Sequence, residues 1–342
     1  MRLRDYIIRR LLLLPLVLLG VMLVIFVIMQ GFTPAQRAVA FIQTKEEMLY
    51  INDIIKRYHL DEPFHIQFFY WFNNVLHGNL GYSVSANMPI SQAILTYFPA
   101  TVELVFLAIP LMLLLGMIFG ILAAVYKDSV IDHVVRFFSI SAWSLPTFWS
   151  AIILLAIFYG VFGIFPPGRL SVQTVLSLSQ TRFISYTGMY IIDGLLNGRP
   201  DVSWDALNHV ILPSLNLAIL SSALPMRIMR SSMLEALSKE YITAARAKGL
   251  SKWAAIWKHA VKNALIPMIT VAGTMVANLI TGVVITETVF AYPGLGKFAA
   301  GAAMSLDMPG ILGFALFAAT IYAITNLIVD VLYCLIDPRI KY

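Results

Sequence analysis

Residues 233–267 read MLEALSKEYITAARAKGLSKWAAIWKHAVKNALIP, the longest polar segment on the predicted inner side of a very apolar chain. Apolar residues recur there at helical spacing on both sides of Gly249, which predicts two amphipathic helices. Their apolar faces comprise Met233, Leu234, Leu237, Tyr241, Ile242 and Ala245, then Trp253, Ile256, Trp257, Ala260, Val261 and Ala264. Gly249 stands where a residue with positive φ ends a helix, and Ser251 is placed to cap the next one.

The composition indicates a polytopic membrane protein. Of the 342 residues, 59% are hydrophobic and 12% are charged, whereas soluble domains average about 25% charged residues. The mean hydropathy is +0.81. In such a protein the net charge of +6 reports membrane orientation before it reports nucleic-acid binding. The single cysteine, Cys334, lies in an apolar run and is interpreted as a helix-packing residue.

Apolar runs of bilayer length predict an all-α membrane protein with six transmembrane helices. The predicted spans are residues 11–29, 101–126, 137–162, 209–229, 268–286 and 311–334. Pro146 within the third span predicts a kink of the kind that often lines a cavity. The GxxxG pattern from Gly116 to Gly120 in the second span predicts close approach of another helix.

The N-terminal arginines and the apolar run after them also resemble a signal peptide. The run is about twice the usual length of a signal-peptide apolar region, so we predict an uncleaved first span. Most of the 24 Lys and Arg residues fall in the segments that six spans place on one side. The positive-inside rule then predicts cytoplasmic N- and C-termini in a cell-membrane protein.

The spans divide the chain into four parts. Residues 1–30 form an N-terminal transmembrane helix, and residues 31–98 form an external segment. Residues 99–336 form a core with five transmembrane helices that includes the cytoplasmic loop 230–267, and residues 337–342 form a cytoplasmic tail.

Shorter elements are predicted outside the spans. Residues 44–58 and 64–76 are predicted helices of the external segment, and 186–196 is a short interfacial helix in a second external segment. Residues 287–310 are too polar for a full span, which predicts an external or re-entrant loop.

Known catalytic and nucleotide-binding motifs are missing from the sequence. Residues 294–297, Gly-Leu-Gly-Lys, come nearest to a P-loop but lack its upstream Gly and its Ser or Thr. Neither HExxH nor GxSxG occurs. We therefore expect no catalytic residue, no metal site and no cofactor in this chain.

The candidates for a pathway or gate are few. Glu103, Glu287 and Asp330 are ionisable residues in or near predicted spans, where charge is costly and often functional. All three lie near predicted helix ends, where water or lipid headgroups can solvate them. Glu103 is predicted in the first turn of its span, where it could stabilise the helix N-terminus. Pro146 joins these candidates because of its predicted kink.

The loop 230–267 is interpreted as a docking element for a soluble partner that supplies energy. Scarce buried charge argues against a stand-alone, ion-coupled secondary transporter, which remains the alternative of another class. An amphipathic helix lying on lipid is a second alternative. A DNA-binding role is disfavoured because the loop is short and tethered to the membrane at both ends. A membrane enzyme is disfavoured because the sequence contains no recognisable set of catalytic residues.

Residues 243–249, Thr-Ala-Ala-Arg-Ala-Lys-Gly, resemble the EAAxxxG loop of ATP-binding-cassette (ABC) importer permeases. Nearly the whole chain resembles the B-type permease subunit of the dipeptide/oligopeptide/nickel family. The matching segments are LDEP at 60–63, GNLGYS at 78–83, PATVEL at 99–104, ITETVF at 285–290, YPGLG at 292–296, NLIVD at 326–330 and DPR at 337–339.

The resemblance implies a type I ABC-importer permease fold. It also implies a second homologous permease, two ATPase subunits that carry ATP and Mg, an external solute-binding protein, membrane lipid around the spans and no nucleic acid. Residues 239–249 would contain the coupling helix, which sits in a groove of an ATPase subunit. The coupling residues would be Glu240, Tyr241, Thr243, Ala244, Ala245, Arg246, Lys248 and Gly249.

Three positions or segments depart from the general pattern, and the substrate stays open. Thr243 replaces the Glu of EAA, Asn79 stands where Asp is common, and residues 259–262 replace Ile-x-Leu-Pro. The resemblance implies transport of di- and oligopeptides. Oligosaccharides, nickel chelates and glutathione are alternatives, because a separate binding protein largely sets specificity.

Overall fold

The structure is a computed structural model that describes residues 3–42, 47–281 and 283–336. Its helices are α1 (Leu3–Met29), α2 (Pro34–Ala38), α3 (Ile51–Arg57), α4 (Phe64–Leu76), α5 (Ile90–Val125), α6 (Val130–Ser144), α7 (Thr147–Leu155), α8 (Val172–Gln180), α9 (Tyr190–Leu196), α10 (Pro200–Leu237), α11 (Glu240–Ala247), α12 (Lys252–Ala255), α13 (Val261–Thr281), α14 (Val284–Val289), α15 (Leu295–Met304) and α16 (Met308–Ile336). Strands β1 (Tyr82–Ser83) and β2 (Met88–Pro89) pair antiparallel.

Five helical segments of the described chain are long and apolar enough to cross a membrane, and the bent pair of α6 with α7 allows a sixth crossing. The prediction of a multi-pass, all-α membrane protein is confirmed. The five segments are Leu11–Met29, Ile90–Val125, Pro200–Leu237, Lys252–Ile280 and Met308–Val329.

The third predicted span is broken rather than kinked. α6 and α7 meet at 107°, and a π-helical turn at Ala156–Val161 follows α7. Pro146 is the N-cap of α7, and Leu145 before it is extended. Proline has no N–H to donate, and it disfavours the helical conformation of the residue that precedes it. The two effects together end α6 at Ser144.

The centre of the bundle is the pair α5 and α10. A Cβ added to Gly116 would lie 2.7 Å from the Cβ of Pro225, and one added to Gly120 would lie 2.6 Å from the Cβ of Met229. The GxxxG pattern therefore lets the two helices pack closely, as predicted. α6 and α13 pack on α10, and α1 packs on α16.

Both central helices are longer than their apolar runs predicted. α5 begins at Ile90 instead of residue 101, so the predicted boundary between residues 98 and 99 falls inside this helix. The added turns bury Ile90 and Ile94 against Leu295 and Phe298. Helices are extended by tertiary packing of this kind, which hydropathy in a sliding window does not register. α10 likewise extends beyond the predicted residues 209–229 at both ends.

The segments between spans confirm some predictions and correct others. α4 spans residues 64–76 as predicted, and α9 falls within the predicted 186–196. The predicted helix at 44–58 is a 3-10 turn at Glu47–Tyr50 followed by α3, with its first residues outside the described part of the chain. Residues 287–310 are largely helical, in α14 and α15, instead of forming a loop. α8 was not predicted.

Gly120→Ala is expected to lower the melting temperature by several degrees. Its Cβ would meet the Met226 carbonyl oxygen at 2.8 Å and the Met229 side chain, and overpacking of this kind typically costs about 1–3 kcal/mol. Gly20→Ala is the control, because Gly20 lies on a membrane helix with nothing within 4 Å of an added Cβ. Thermal unfolding of the purified protein in mild detergent measures both. Equal melting temperatures would mean that α5 and α10 do not rely on this contact.

Candidate functional site

The loop between α10 and α13 contains one isolated helix, α11. α10 ends at Leu237, and Lys239 with extended backbone precedes α11. Gly249 has φ 88°, and its N–H donates to the Arg246 carbonyl oxygen at 3.0 Å. Ser251 accepts a hydrogen bond from the Ala254 N–H at 3.2 Å. The predicted turn at Gly249 and the predicted cap at Ser251 are both present.

The two faces of α11 differ sharply in burial. Ile242 and Ala245 are only 6% and 8% exposed and pack inward. Seven of the eight predicted coupling residues are exposed: Glu240, Tyr241, Thr243, Ala244, Arg246, Lys248 and Gly249. The eighth, Ala245, fixes α11 on the bundle and does not face outward. α11 thus presents a mixed polar and aromatic face with few internal contacts.

The predicted apolar faces of the loop need correction. Met233 and Leu237 belong to the end of α10, and Tyr241 is 39% exposed instead of buried. The predicted second helix is not separate. α12 continues through a π-helical turn at Ile256–Ala260 into α13, so it begins the fifth span. Helical periodicity alone could not show the break at Ser238, because apolar residues continue at helical spacing across it.

Two tryptophans extend the exposed surface beside α11. Trp253 is 45% exposed and Trp257 is 52% exposed, whereas Ile256 between them is buried. Exposed basic residues surround them: Arg246, Lys248, Lys252, Lys258 and Lys262. We name α11 together with Trp253 and Trp257 the loop surface. Large aromatic residues and arginine are typical of protein-binding surfaces.

The loop surface rests on a buried apolar cluster shared by three long helices. Ile242 of α11 belongs to the same cluster as Ile121 of α5, Met233 of α10 and Met268 of α13. Close-packed protein interiors have low compressibility. The ends of α5, α10 and α13 thus share one buried cluster with α11.

An ion pair that the sequence analysis missed lies at the same end of the bundle. Arg230 donates from Nε to Oδ1 of Asp132 and from Nη2 to Oδ2, each at 2.7 Å. The Asp132 side chain is fully buried, and Arg136 approaches it at 3.4 Å. This bidentate pair joins α6 to α10. The two residues are 98 positions apart, so local sequence could not have paired them.

Glu103 lies at the opposite end of the bundle, where it joins four segments. Its Oε2 accepts from Arg169 Nη2 at 2.8 Å and from the Tyr292 hydroxyl at 2.9 Å, and its Oε1 accepts from the Ile191 N–H at 2.8 Å. The sequence placed Glu103 in the first turn of its helix, but α5 begins 13 residues earlier, at Ile90. A helix-terminus role is therefore wrong. Its hydrogen bonds hold these four segments together, and a role in gating stays a prediction.

Glu287 occupies a second buried polar site close by on α14. It accepts from the Thr101 hydroxyl at 2.6 Å and from the Lys297 N–H at 2.9 Å, and Thr101 in turn accepts from the Leu295 N–H at 2.8 Å. A Cβ at Gly294 would lie 2.2 Å from Oε1, so only glycine allows this approach. Burial raises the pKa of Glu287 to about 7.

Asp307, which the sequence analysis also missed, anchors the β1–β2 hairpin. It accepts from the Ser83 hydroxyl at 2.5 Å, the Ser85 hydroxyl at 2.7 Å and the Gly310 N–H at 3.0 Å. Burial raises its pKa, but the hydrogen bonds from Ser83 and Ser85 outweigh that effect and leave the pKa below its ordinary value. Its partner Ser83 is 224 residues away.

Two predicted candidates are not brought into these clusters. The Asp330 side chain lies outside the part of the chain that the structure describes, as does the Cys334 side chain. Pro146 lies at the corner between α6 and α7. Its role in a pathway therefore stays a prediction.

Stability should fall as the pH rises from about 4.5 to about 7, in part because of Glu287. Its folded-state pKa is raised from 4.5 to about 7, so the folded state binds its proton more tightly than the unfolded state does. That contribution is complete below pH 4.5 and is lost as the pH passes 7. Glu287→Gln should flatten this part of the melting-temperature profile measured in detergent. A variant profile parallel to the original would contradict the assignment.

The family model described as "Binding-protein-dependent transport system inner membrane component" matches residues 116–342. Among curated relatives, the dipeptide transport system permease protein DppB of Alkalihalophilus pseudofirmus is 37% identical over 98% of this chain and 99% of its own. DppB of Haemophilus influenzae is 39% identical over 80% of each chain. The oligopeptide transport system permease protein AppB of Bacillus subtilis is 33% identical over 98% of this chain and 99% of its own.

A chain from a crystal structure of an amino acid ABC transporter covers 79% of this chain and 98% of its own length, with a TM-score of 0.44 and 16% identity. The assignment rests on the sequence matches, which extend over the loop surface and nearly all the predicted spans. The chain is therefore a member of the family of binding-protein-dependent transport system inner membrane components.

Proposed function

We propose that this chain and a second homologous permease form the translocation pathway of an ATP-driven importer for di- and oligopeptides. The observation that carries the proposal is the loop surface, an exposed helix mounted on a cluster that joins α5, α10 and α13. Peptides are the substrate class named for the relatives DppB and AppB. A solute-binding protein on the side opposite α11 would deliver them.

The energy would come from two ATPase subunits, which hold ATP and Mg, while this chain binds no nucleotide. One ATPase subunit would contact Tyr241, Ala244 and the exposed tryptophans of the loop surface. Its basic rim favours an acidic groove on that partner, because complementary charge speeds and orients docking. Thr243 replaces a carboxylate, so this position adds no negative charge that would repel an acidic partner.

Movement of α11 would be passed to the spans through packing. Ile242 shares a buried cluster with residues of α10 and α13, so a movement of α11 would be felt at the ends of these helices. The Asp132–Arg230 pair would carry α6 along with α10. At the opposite end, the Glu103 and Glu287 clusters would keep α5 joined to the α14–α15 segment while the pathway opens.

Ala244→Arg is the direct test of docking. Ala244 is exposed on α11, so the substitution fits the folded chain, but its long side chain would hold the partner surface away from α11. We expect ATPase co-purification and uptake of labelled dialanine to fall at least about tenfold, since loss of close packing at the centre of an interface costs more than about 1.4 kcal/mol. Ala35→Arg, at an exposed alanine on α2 at the opposite end, is the matched control and should leave ATPase co-purification unchanged.

Two results would overturn the proposal. Unchanged ATPase binding and uptake in Ala244→Arg would remove the loop surface from coupling. Transport by the purified chain in vesicles without ATP or partners would favour a stand-alone secondary transporter. Competition assays with unlabelled maltotriose, glutathione and a nickel chelate then separate the alternative substrates from peptides.

A further inference from the structure

The side of the bundle opposite α11 contains a cavity of about 430 Å³. It lies where α1 ends and α16 begins, beneath α2 and α4. Its walls are mostly apolar and include Met29, Trp71, Leu312 and Leu316.

Arg37 of α2 lines this cavity and has no counter-ion among residues 3–42, 47–281 and 283–336. The residue is 8% exposed, and its guanidinium donates to the Gln30 side chain, the Gln67 side chain and the Leu60 carbonyl oxygen. All three acceptors are neutral. Its Nε is buried and has no hydrogen-bond partner among the described residues. A buried cation of this kind is costly unless an anion accompanies it.

Asp307 also lines the cavity, but it does not neutralise Arg37. Its carboxylate accepts hydrogen bonds from Ser83, Ser85 and Gly310. Within the described chain, no carboxylate oxygen lies within 4.0 Å of the Arg37 guanidinium. An anion from outside the chain would therefore complete this site.

A separate apolar groove lies on the same helix pair. A second space of about 520 Å³ lies between α1 and α16, lined by Val17, Val21, Ala318 and Tyr322 among others. The two linings share no residue but follow one another along α16, from Leu316 in the first to Ala318 in the second. The fifteen helical residues from Leu312 to Asn326 extend over about 21 Å, which exceeds half of the roughly 30 Å hydrocarbon core. The two spaces together are thus long enough to match the depth of one leaflet.

We propose that an anionic phospholipid occupies this seam. Its phosphate accepts hydrogen bonds from Arg37, and one acyl chain lies in the α1–α16 groove. The neighbouring apolar groove favours a lipid over free phosphate, which has no tail to bury. A zwitterionic peptide is disfavoured, because the Asp307 carboxylate is already occupied and cannot pair with its amine. The lipid would fasten α1, which packs mainly on α16, to the rest of the bundle.

The test counts lipid retained by the purified transporter complex. The complex is placed in nanodiscs that contain equal palmitoyl-oleoyl phosphatidylglycerol and phosphatidylcholine, then released and weighed by native mass spectrometry. The original protein should retain phosphatidylglycerol in preference to phosphatidylcholine. Arg37→Gln should lower that retention about tenfold, in keeping with the strength of a charge-assisted hydrogen bond. Arg182→Gln, at an exposed arginine, is the matched control and should retain it fully.

Two further variants keep the test independent of folding at Arg37. Arg37→Lys preserves the charge and should retain most of the lipid. Ala319→Trp fills the acyl groove without touching the charge and should lower retention as Arg37→Gln does. Equal retention in the original, Arg37→Gln and Ala319→Trp proteins would overturn the proposal. So would equal retention of the two lipids, or displacement of phosphatidylglycerol by dialanine.

Discussion

Close packing between α5 and α10 is the contact on which the other helices depend. Lipid tails are as apolar as the helices, so burial of apolar area does not drive helices together in a membrane. Gly116 and Gly120 remove the side chains that would hold the two backbones apart. α6 and α13 then pack on α10, and α15 packs on α5. Any force applied to the end of α10 is therefore shared by most of the bundle.

Polar clusters close both ends of this apolar pair. The Asp132–Arg230 pair fastens α6 near α11, and the Glu103 and Glu287 sites fasten α14 and its neighbours at the other end. A buried charge must be paired or hydrogen-bonded, so each site specifies one arrangement of the segments it joins. Arg37 is the exception among these charges, which is why the lipid proposal centres on it.

The Gly249 turn and the Ser251 cap of the loop were predicted, but the faces of its helices were assigned poorly. Gly249 and Ser251 act within one turn of chain, and their roles were predictable from residue type. The burial of Ala245 and the exposure of Tyr241 and Trp257 depend on which side of α11 and of the π-helical turn meets the bundle. Pro146 was predicted to bend the third span, but the 107° corner exceeds an ordinary proline kink. The added turns of α5 were not predicted, because they are buried by contact with α15, which is distant in the sequence.

Hydropathy and local turn chemistry by themselves determined the membrane class, the approximate spans and the isolated helix of the loop. These properties arise from transfer of single segments into lipid and from hydrogen bonds within a few residues. Only the tertiary structure decided which carboxylates are paired, and that Arg37 has no anion beside it in the described part of the chain. Asp132 pairs with Arg230, which is 98 positions away in the sequence, and Asp307 bonds to Ser83, which is 224 positions away. Contacts over such separations exist only once the helices have packed.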